Sequence, residues 1–247
     1  MSKGSEWLRG LLQSNGVPVD ESQCALLDRY CSLLLEWNKK INLISRRSKN
    51  AVWEEQILHS ISFLSRLRIA KSASVIDIGT GGGLPGIPLK ILMPGLSMTL
   101  VDSIGKKVDA VKSIVKELGI PRTEVIRSRA EDLNRGSGNK RFYDYVVCRG
   151  VGQLTDICKY GFPLLDTIAS SGTTPQGQQI VKTPDKVFIP PGAILALKGG
   201  DLQEEQKHAT KKKGITITVI EISLRTSEVL ANNEKKVAIM RPQKSHG

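Results

Sequence analysis

Residues 75–88, VIDIGTGGGLPGIP, combine a short apolar run that contains one aspartate with a dense cluster of glycines. An apolar run this short, closed by glycine, predicts a buried β-strand over 74–79. Glycines that follow a strand allow a tight turn and a close approach of the backbone to a ligand. The next segment, GIPLKILM at 86–93, predicts a helix. The stretch is therefore a strand, a glycine loop and a helix.

The same alternation continues on the carboxyl side of this stretch. The predicted elements are a strand in 96–103, a helix over 105–120, strands in 124–133, 143–151 and 193–199, and a final antiparallel pair over 215–224 and 235–242. Strands that alternate with helices predict a mostly parallel sheet covered by helices, so the fold class is α/β. Ligands of such sheets bind outside the carboxyl ends of the strands.

The first 70 residues differ, because their apolar positions follow helical spacing and show no strand-like alternation. Three helices are predicted, within 5–16, 20–43 and 51–67. We therefore expect an N-terminal helical region over 1–70 and one sheet domain over 71–247. Residues 170–190 are rich in Ser, Thr, Gly, Pro and Gln, which predicts a loop insertion, either a plain surface loop or a lid.

The charge of the chain points to its partners. The 247 residues carry a formal net charge of +12, which favours a polyanionic partner, nucleic acid first and a membrane surface second. The alternative is a basic surface that only contacts water. No apolar run is long enough to span a bilayer and the first ten residues lack a signal-peptide core, so we expect a cytoplasmic protein. The four cysteines and three histidines lack zinc-site spacing, so no metal is expected.

The glycine loop fits two ligands. Gly81, Gly83 and Gly86 match the dinucleotide fingerprint G-x-G-x-x-G. Asp77 and Gly79, followed by Gly81 and Gly83, instead match the acidic glycine loop of enzymes that use S-adenosylmethionine. A dinucleotide places a pyrophosphate here, and the Asp77 carboxylate would repel it. The ammonium and sulfonium of S-adenosylmethionine would be attracted, so the charge favours that cofactor.

Three further sites are expected at the same edge of the sheet. Asp102 ends the second strand of the alternation, where its carboxylate can bind two ribose hydroxyls or cap the following helix. The stretch 129–131 follows the third strand, and Arg149 follows the fourth. This convergence with the glycine loop is more informative than any single motif.

Six sequence blocks together resemble one protein family. They occur in the order LEWNKKINLIS, VIDIGTGGGLPGIPLKI, LVDSIGKKV, SRAEDL, YDYVVCRGV and LALKG. The chain is similar in these blocks to the glucose-inhibited division protein B family, bacterial 16S ribosomal RNA guanine-N-7 methyltransferases. The resemblance implies a Rossmann-like fold with seven strands, the last antiparallel. It also implies S-adenosylmethionine as cofactor, and 16S rRNA or the small ribosomal subunit, as a finished or partly assembled particle, as partner.

The resemblance also implies site residues. Gly79 and Leu84 match cofactor-contacting loop positions, although Leu84 stands where phenylalanine is common in the family. Ala130 and Glu131 match a dipeptide that meets the adenosine portion of the cofactor. Arg149 matches an arginine implicated in the cofactor and substrate site. The expected cofactor-binding set is Asp77, Gly79, Gly81, Leu84, Asp102, Ala130, Glu131 and Arg149.

The implied chemistry needs few catalytic groups. Guanine N-7 has an in-plane lone pair and requires no deprotonation, so we expect no general base. Arg149 is the one candidate for a catalytic residue. Phosphate contacts are expected from Lys39, Lys40, Arg46, Arg47, Lys106 and Arg129. Three other functions remain open: an NAD-dependent oxidoreductase that uses the same loop, a non-catalytic RNA-binding protein on a methyltransferase fold, and a small-molecule methyltransferase, against which the basic charge counts.

Overall fold

The computed structural model describes residues 3–45, 51–135, 140–166, 182–183, 186–211, 214–224 and 235–243. Its seven α-helices within these ranges are α1 (Ser5–Ser14), α2 (Glu21–Lys40), α3 (His59–Ile61), α4 (Gly86–Leu92), α5 (Gly105–Leu118), α6 (Leu154–Gly161) and α7 (Gln203–Thr210). A π-helical segment, Val52–Leu58, runs directly into α3, and 3₁₀ turns span Ser62–Ser65, Ala130–Asp132 and Phe162–Leu164.

A seven-stranded sheet forms the centre of the protein. Its strands are β2 (Ser74–Ile78), β3 (Ser97–Asp102), β4 (Thr123–Arg127), β5 (Tyr145–Arg149), β8 (Ala193–Lys198), β9 (Ile215–Glu221) and β10 (Lys236–Pro242). They lie in the order β4-β3-β2-β5-β8-β10-β9. The first five are parallel, and β10 inserts antiparallel between β8 and β9. The predicted α/β fold with a mostly parallel sheet is confirmed.

The sequence explains why the middle strands occupy the centre. In β2 every residue after Ser74 is buried, and β8 is buried from Ala193 to Leu197, as expected for strands covered by helices on both faces. Helix α5 buries one apolar side only, including Val108, Val111 and Ile114. It ends at Gly119, whose φ of 61° is the left-handed conformation that closes many helices.

The segment between the helical region and the sheet differs from its prediction. We expected a helix through residue 67, but β1 (Leu67–Arg68) is a short strand that pairs in parallel with β7 (Lys186–Phe188). Strand β7 in turn pairs antiparallel with β6 (Lys182–Thr183), and these three strands form a separate sheet. Tertiary pairing decided this conformation, and local periodicity does not report such pairing. The rest of the predicted loop 170–190 lies outside the described residues, apart from 189–190.

The N-terminal helices and the sheet share one core. Buried side chains of α1 and α2, such as Leu8, Leu27 and Leu34, belong to the same apolar cluster as Leu89 and Leu100. A second cluster, on the other face of the sheet, contains side chains of α6 and α7. The helical region therefore packs against the sheet, and the division of the chain at residue 70 stays a prediction. In the described ranges, no helix is long and apolar enough to cross a membrane.

Candidate active site at the carboxyl edge of the sheet

The glycine loop between β2 and α4 is fixed by its own backbone. The amide of Thr80 donates to the Val101 carbonyl, and the amides of Gly83 and Leu84 both donate to the Thr80 carbonyl. The amide of Gly81 donates to a carboxylate on β3, and that of Gly86 to a carboxylate on β2. Most N–H groups of the loop are thus already bonded within the protein.

Two glycines of this loop are required by close packing. Gly79 has φ of 69°, and a Cβ there would lie 2.6 Å from Cγ2 of Val151. A Cβ at Gly86 would lie 2.3 Å from Cδ2 of Leu100, so only glycine lets α4 approach β3 this closely. Both positions therefore exclude larger residues before any ligand is considered.

Asp77 lies underneath the loop and does not line its cavity. Its side chain is completely buried, and Oδ2 accepts hydrogen bonds from Thr80 Oγ1 at 2.7 Å and from the Gly86 amide at 2.9 Å. Oδ1 has no partner among the described residues. Burial raises the pKa of Asp77 to about 7, although the bonds to Thr80 and Gly86 oppose this shift. Asp77 shapes the loop, and its charge varies near neutral pH.

Asp102 ties the end of β3 to the loop. Its Oδ2 accepts the Gly81 amide at 3.0 Å, and its Oδ1 accepts the Ile104 amide at 2.9 Å. Only 7% of the residue is exposed, yet it lines the cavity beside the loop. A carboxylate has about four lone-pair sites, so two backbone bonds leave capacity for ligand hydroxyls. The predicted helix cap is wrong, because the N-cap of α5 is Ile104 and Asp102 accepts the amide of that residue, not one inside the helix. The ribose contact stays a prediction.

The loop cavity, as we name it, has a volume of about 370 Å³. It opens at the carboxyl ends of β2, β3, β4 and β5, as predicted for the edge of a parallel sheet. Its lining is Ile78, Gly79, Val101, Asp102, Ser103, Ile104, Lys107, Ser128, Arg129, Ala130, Glu131, Gly150, Val151 and Tyr160. Apolar walls with two carboxylates, and a volume in the range of small-molecule sites, suit a nucleoside.

The dipeptide Ala130–Glu131 lies on the wall of the loop cavity. It forms a 3₁₀ turn after β4. Glu131 is 3.8 Å from Arg129, whose side chain is 70% exposed, so this pair contributes little to stability. The structure thus brings together four of the predicted cofactor-binding residues at one cavity: Gly79, Asp102, Ala130 and Glu131. Leu84 is buried in the apolar core and does not line the cavity.

Arg149 lies at the end of β5 but faces a different cavity. Its Nη1 donates to the Glu55 carbonyl at 2.8 Å, and its Nη2 donates to Oε1 of Gln56. In the described part of the chain, neither Glu131 nor Asp144 forms an ion pair with Arg149. Burial lowers the pKa of Arg149 below the usual arginine value. The side chain therefore joins the sheet to the π-helical segment.

The cavity beside Arg149, which we name the basic cavity, has a volume of about 450 Å³. Its lining is Glu55, Gln56, His59, Arg149, Gly150, Leu197, Lys198, Gly199 and Lys235. Gly150 also lines the loop cavity, so the two cavities meet at that residue. Sequence reasoning found only Arg149 here. The other residues come from the π-helical segment, the end of β8 and the residue before β10, and no local motif connects these segments.

Helix α2 supports the glycine loop from the side of the N-terminal region. The buried Tyr30 donates its hydroxyl hydrogen bond to the Gly82 carbonyl at 2.9 Å. A Cβ at Gly82 would lie 2.6 Å from Cδ1 of Leu34 and 3.3 Å from Cβ of Leu43. Oδ1 of Asn38, in the last turn of α2, accepts hydrogen bonds from the amides of Leu43 and Ile44. These bonds fix the turn that follows the helix. The helical region therefore holds the loop in place.

Four of the six residues predicted to contact RNA lie within the described ranges: Lys39, Lys40, Lys106 and Arg129. Lys39 and Lys40 are exposed at the end of α2, where Lys40 lies 4.9 Å from the Trp37 ring centre and 4.0 Å from Glu36. Lys106 is exposed on the first turn of α5. Arg46 and Arg47 lie outside the described residues. In the part of the chain that is described, no group of three metal-ligating side chains occurs.

A family model for rRNA small subunit methyltransferase G matches residues 23–172, more than half of the chain. The chain belongs to this family. A ribosomal RNA small subunit methyltransferase G from Chlorobaculum tepidum is 35% identical over 239 residues, 95% of this chain and 96% of the relative. One from Bacteroides fragilis is 34% identical over 201 residues, 80% of this chain and 86% of the relative.

A solved structure supports the fold alone. The mitomycin 7-O-methyltransferase MmcR aligns with a TM-score of 0.52 over 86% of this chain and 60% of its own, at 14% identity. The family resemblance, the Rossmann-like methyltransferase fold and the assignment to rRNA methyltransferases, all predicted from sequence, are confirmed by these matches. The roles of single residues rest on the geometry.

Proposed function

We propose that the protein transfers a methyl group from S-adenosylmethionine to N-7 of a guanine in 16S rRNA of the small ribosomal subunit. The observation that carries this proposal is the loop cavity, with Asp102 and Glu131 on its walls and the glycine loop at its side. Family membership supplies the substrate class. The roles of the residues below follow from where their side chains lie.

The donor groups of the loop favour S-adenosylmethionine over a dinucleotide. A pyrophosphate needs free N–H groups at the loop and at the start of the following helix. Here the amides of Thr80, Gly81, Gly83, Leu84 and Gly86 already donate within the protein. An adenosine portion needs acceptors for its ribose hydroxyls and apolar walls for its ring. Asp102 and Glu131 offer the acceptors, and the partly exposed Ile104 offers apolar surface.

The residues of the cavity would bind and orient, with no proton to remove. S-adenosylmethionine, when bound, supplies the methyl group on a sulfonium that a nucleophile attacks in line. Asp102 would bind the ribose hydroxyls. Its hydrogen bond from the Gly81 amide also holds the glycine loop in position against the end of β3. Because guanine N-7 is already nucleophilic, correct placement and exclusion of water provide most of the rate enhancement. Arg149 positions the π-helical segment against the end of β5.

Exposed cations near the edge of the sheet would provide affinity for RNA. Lys39, Lys40, Lys106 and Arg129 lie on α2, on α5 and beside the loop cavity, and we propose that they contact phosphates. Such contacts position a protein without reading sequence. Selection of one guanine would then come from RNA shape or from a partly assembled particle.

Mass spectrometry of 16S rRNA tests the proposal. Cells that carry the gene should contain one 7-methylguanosine that cells without it lack, and the purified protein should restore it with S-adenosylmethionine. The same protein should bind S-adenosylmethionine and not NAD in isothermal titration. Identical rRNA from both cell types, or binding of NAD alone, would refute the proposed reaction.

A further inference from the structure

We propose that the basic cavity binds the phosphate of the RNA nucleotide that accepts the methyl group, with Lys235 and Arg149 as the binding cations. This inference rests on the proposed function, because it places the acceptor beside the cofactor.

The position of the basic cavity is that of an acceptor site. It lies at the carboxyl ends of β5 and β8, next to the loop cavity, and Gly150 lines both. A Cβ added at Gly150 would meet no protein atom within 4 Å, so the space on that side of the shared residue is open. A group bound in one cavity can therefore reach a group bound in the other.

Two cations of the basic cavity, Arg149 and Lys235, form no ion pair with another described residue. Arg149 bonds only to the Glu55 carbonyl and the Gln56 side chain, and among the described residues Lys235 has no ion pair. Burial lowers the pKa of Lys235, and the charge of Arg149 lowers it further. The pKa of His59 is lowered mainly by its burial, and the charges of Arg149 and Lys235 lower it further. The two like charges therefore repel each other, although the Glu55 carboxylate opposes this by raising the pKa of both groups. A bound anion would relieve the repulsion.

Two other charged groups line the same space. Lys198 is 2.9 Å from Glu205 and donates to the Gly152 carbonyl, so its charge is already paired. Glu55 adds one carboxylate, which opposes an anion and leaves a net positive lining. The volume of about 450 Å³ lies in the range that holds a small ligand such as one nucleotide.

Lys235→Met tests the proposal, and Lys236→Met is the matched control. Lys236 is the next residue, does not line the cavity and lies 3.7 Å from Glu221. With S-adenosylhomocysteine bound, the wild type and Lys236→Met should bind guanosine 5′-monophosphate about tenfold more tightly than guanosine, and Lys235→Met should lose this preference. Equal preference in all three proteins would overturn the proposal.

Steady-state methylation of small-subunit RNA gives an independent result. Lys235→Met should raise KM for RNA by about tenfold and reduce the salt slope of binding by about one, with kcat changed less. An unchanged KM and an unchanged salt slope would overturn the proposal even if free nucleotides bind too weakly to measure. Loss of S-adenosylmethionine affinity in Lys235→Met would also overturn it, because the cavity would then hold the carboxylate of the cofactor. Wild-type protein that methylates no rRNA would refute the reaction instead, and the nucleotide preference can still be measured.

Discussion

Asp77→Asn is expected to remove a pH dependence of folding stability. The Asp77 carboxyl is completely buried, and burial raises its pKa from 3.8 to about 7. The folded protein therefore holds this proton more tightly than the unfolded chain does. The resulting stabilisation is fully present below the unfolded pKa and is lost as the pH rises through about 7.

The size of the effect follows from the two pKa values. Between about pH 5 and about pH 8, the wild type should lose on the order of 3 kcal/mol of unfolding free energy through this one residue. Asparagine does not titrate, and its amide oxygen can accept the bonds from Thr80 and Gly86. Its NH₂ group replaces Oδ1, which lacks a described partner, at a cost of about 1–3 kcal/mol at every pH.

Urea unfolding of both proteins, followed by tryptophan fluorescence at the two pH values, measures the difference. The unfolding free energy of Asp77→Asn minus that of the wild type should increase by about 3 kcal/mol from the lower to the higher pH. Burial lowers the pKa of His59, so its contribution to the unfolding free energy changes with pH in the opposite direction. His59 is present in both proteins, so this contribution cancels in the difference. Asp109→Asn, an exposed change on α5, should follow the wild type. Parallel pH profiles for Asp77→Asn and the wild type would show that the native carboxyl is not protonated as described.

Three further changes test the site. Arg149→Lys should reduce single-turnover methylation by about tenfold or more, because an ammonium cannot bond both the Glu55 carbonyl and Gln56; normal methylation with early thermal melting would assign Arg149 to folding alone. Tyr30→Phe should lower the unfolding free energy by about 1–3 kcal/mol and weaken cofactor binding in titration calorimetry, since it leaves the Gly82 carbonyl unpaired; unchanged affinity would disconnect α2 from the loop. Gly79→Val should abolish cofactor binding and also lower the melting temperature, because its Cβ would lie 2.6 Å from Val151 at a φ of 69°; wild-type melting would contradict this packing.

Local sequence was sufficient for the seven-stranded sheet and for some of the residues that line the loop cavity. Short apolar runs with glycine after them mark β2 and β3, and the residues that follow parallel strands must meet at one edge. The sequence alone therefore places Asp102, Ala130 and Glu131 at the same edge of the sheet.

Residues whose position depends on tertiary packing could not be placed in this way. Asp77 was predicted to act on the cofactor by its charge, but the pleat of β2 turns it beneath the loop, where its pKa is raised. Arg149 was placed at the correct strand end, yet its partners come from Glu55 and Gln56, far away in sequence. Lys235 gave no signal, because one lysine before a strand is ordinarily a solvated charge.

The hydrogen bond from Tyr30 to the Gly82 carbonyl makes the N-terminal helices respond to ligand concentration. A ligand that binds only the folded loop stabilises it by about 2.7 kcal/mol at a hundredfold excess over its Kd. Because this bond links α2 to the loop, stabilising the loop should also stabilise α2. Amides of α2 should therefore exchange with deuterium more slowly when ligand is present. We expect the resistance of the helical region to proteases to rise with the concentration of that ligand.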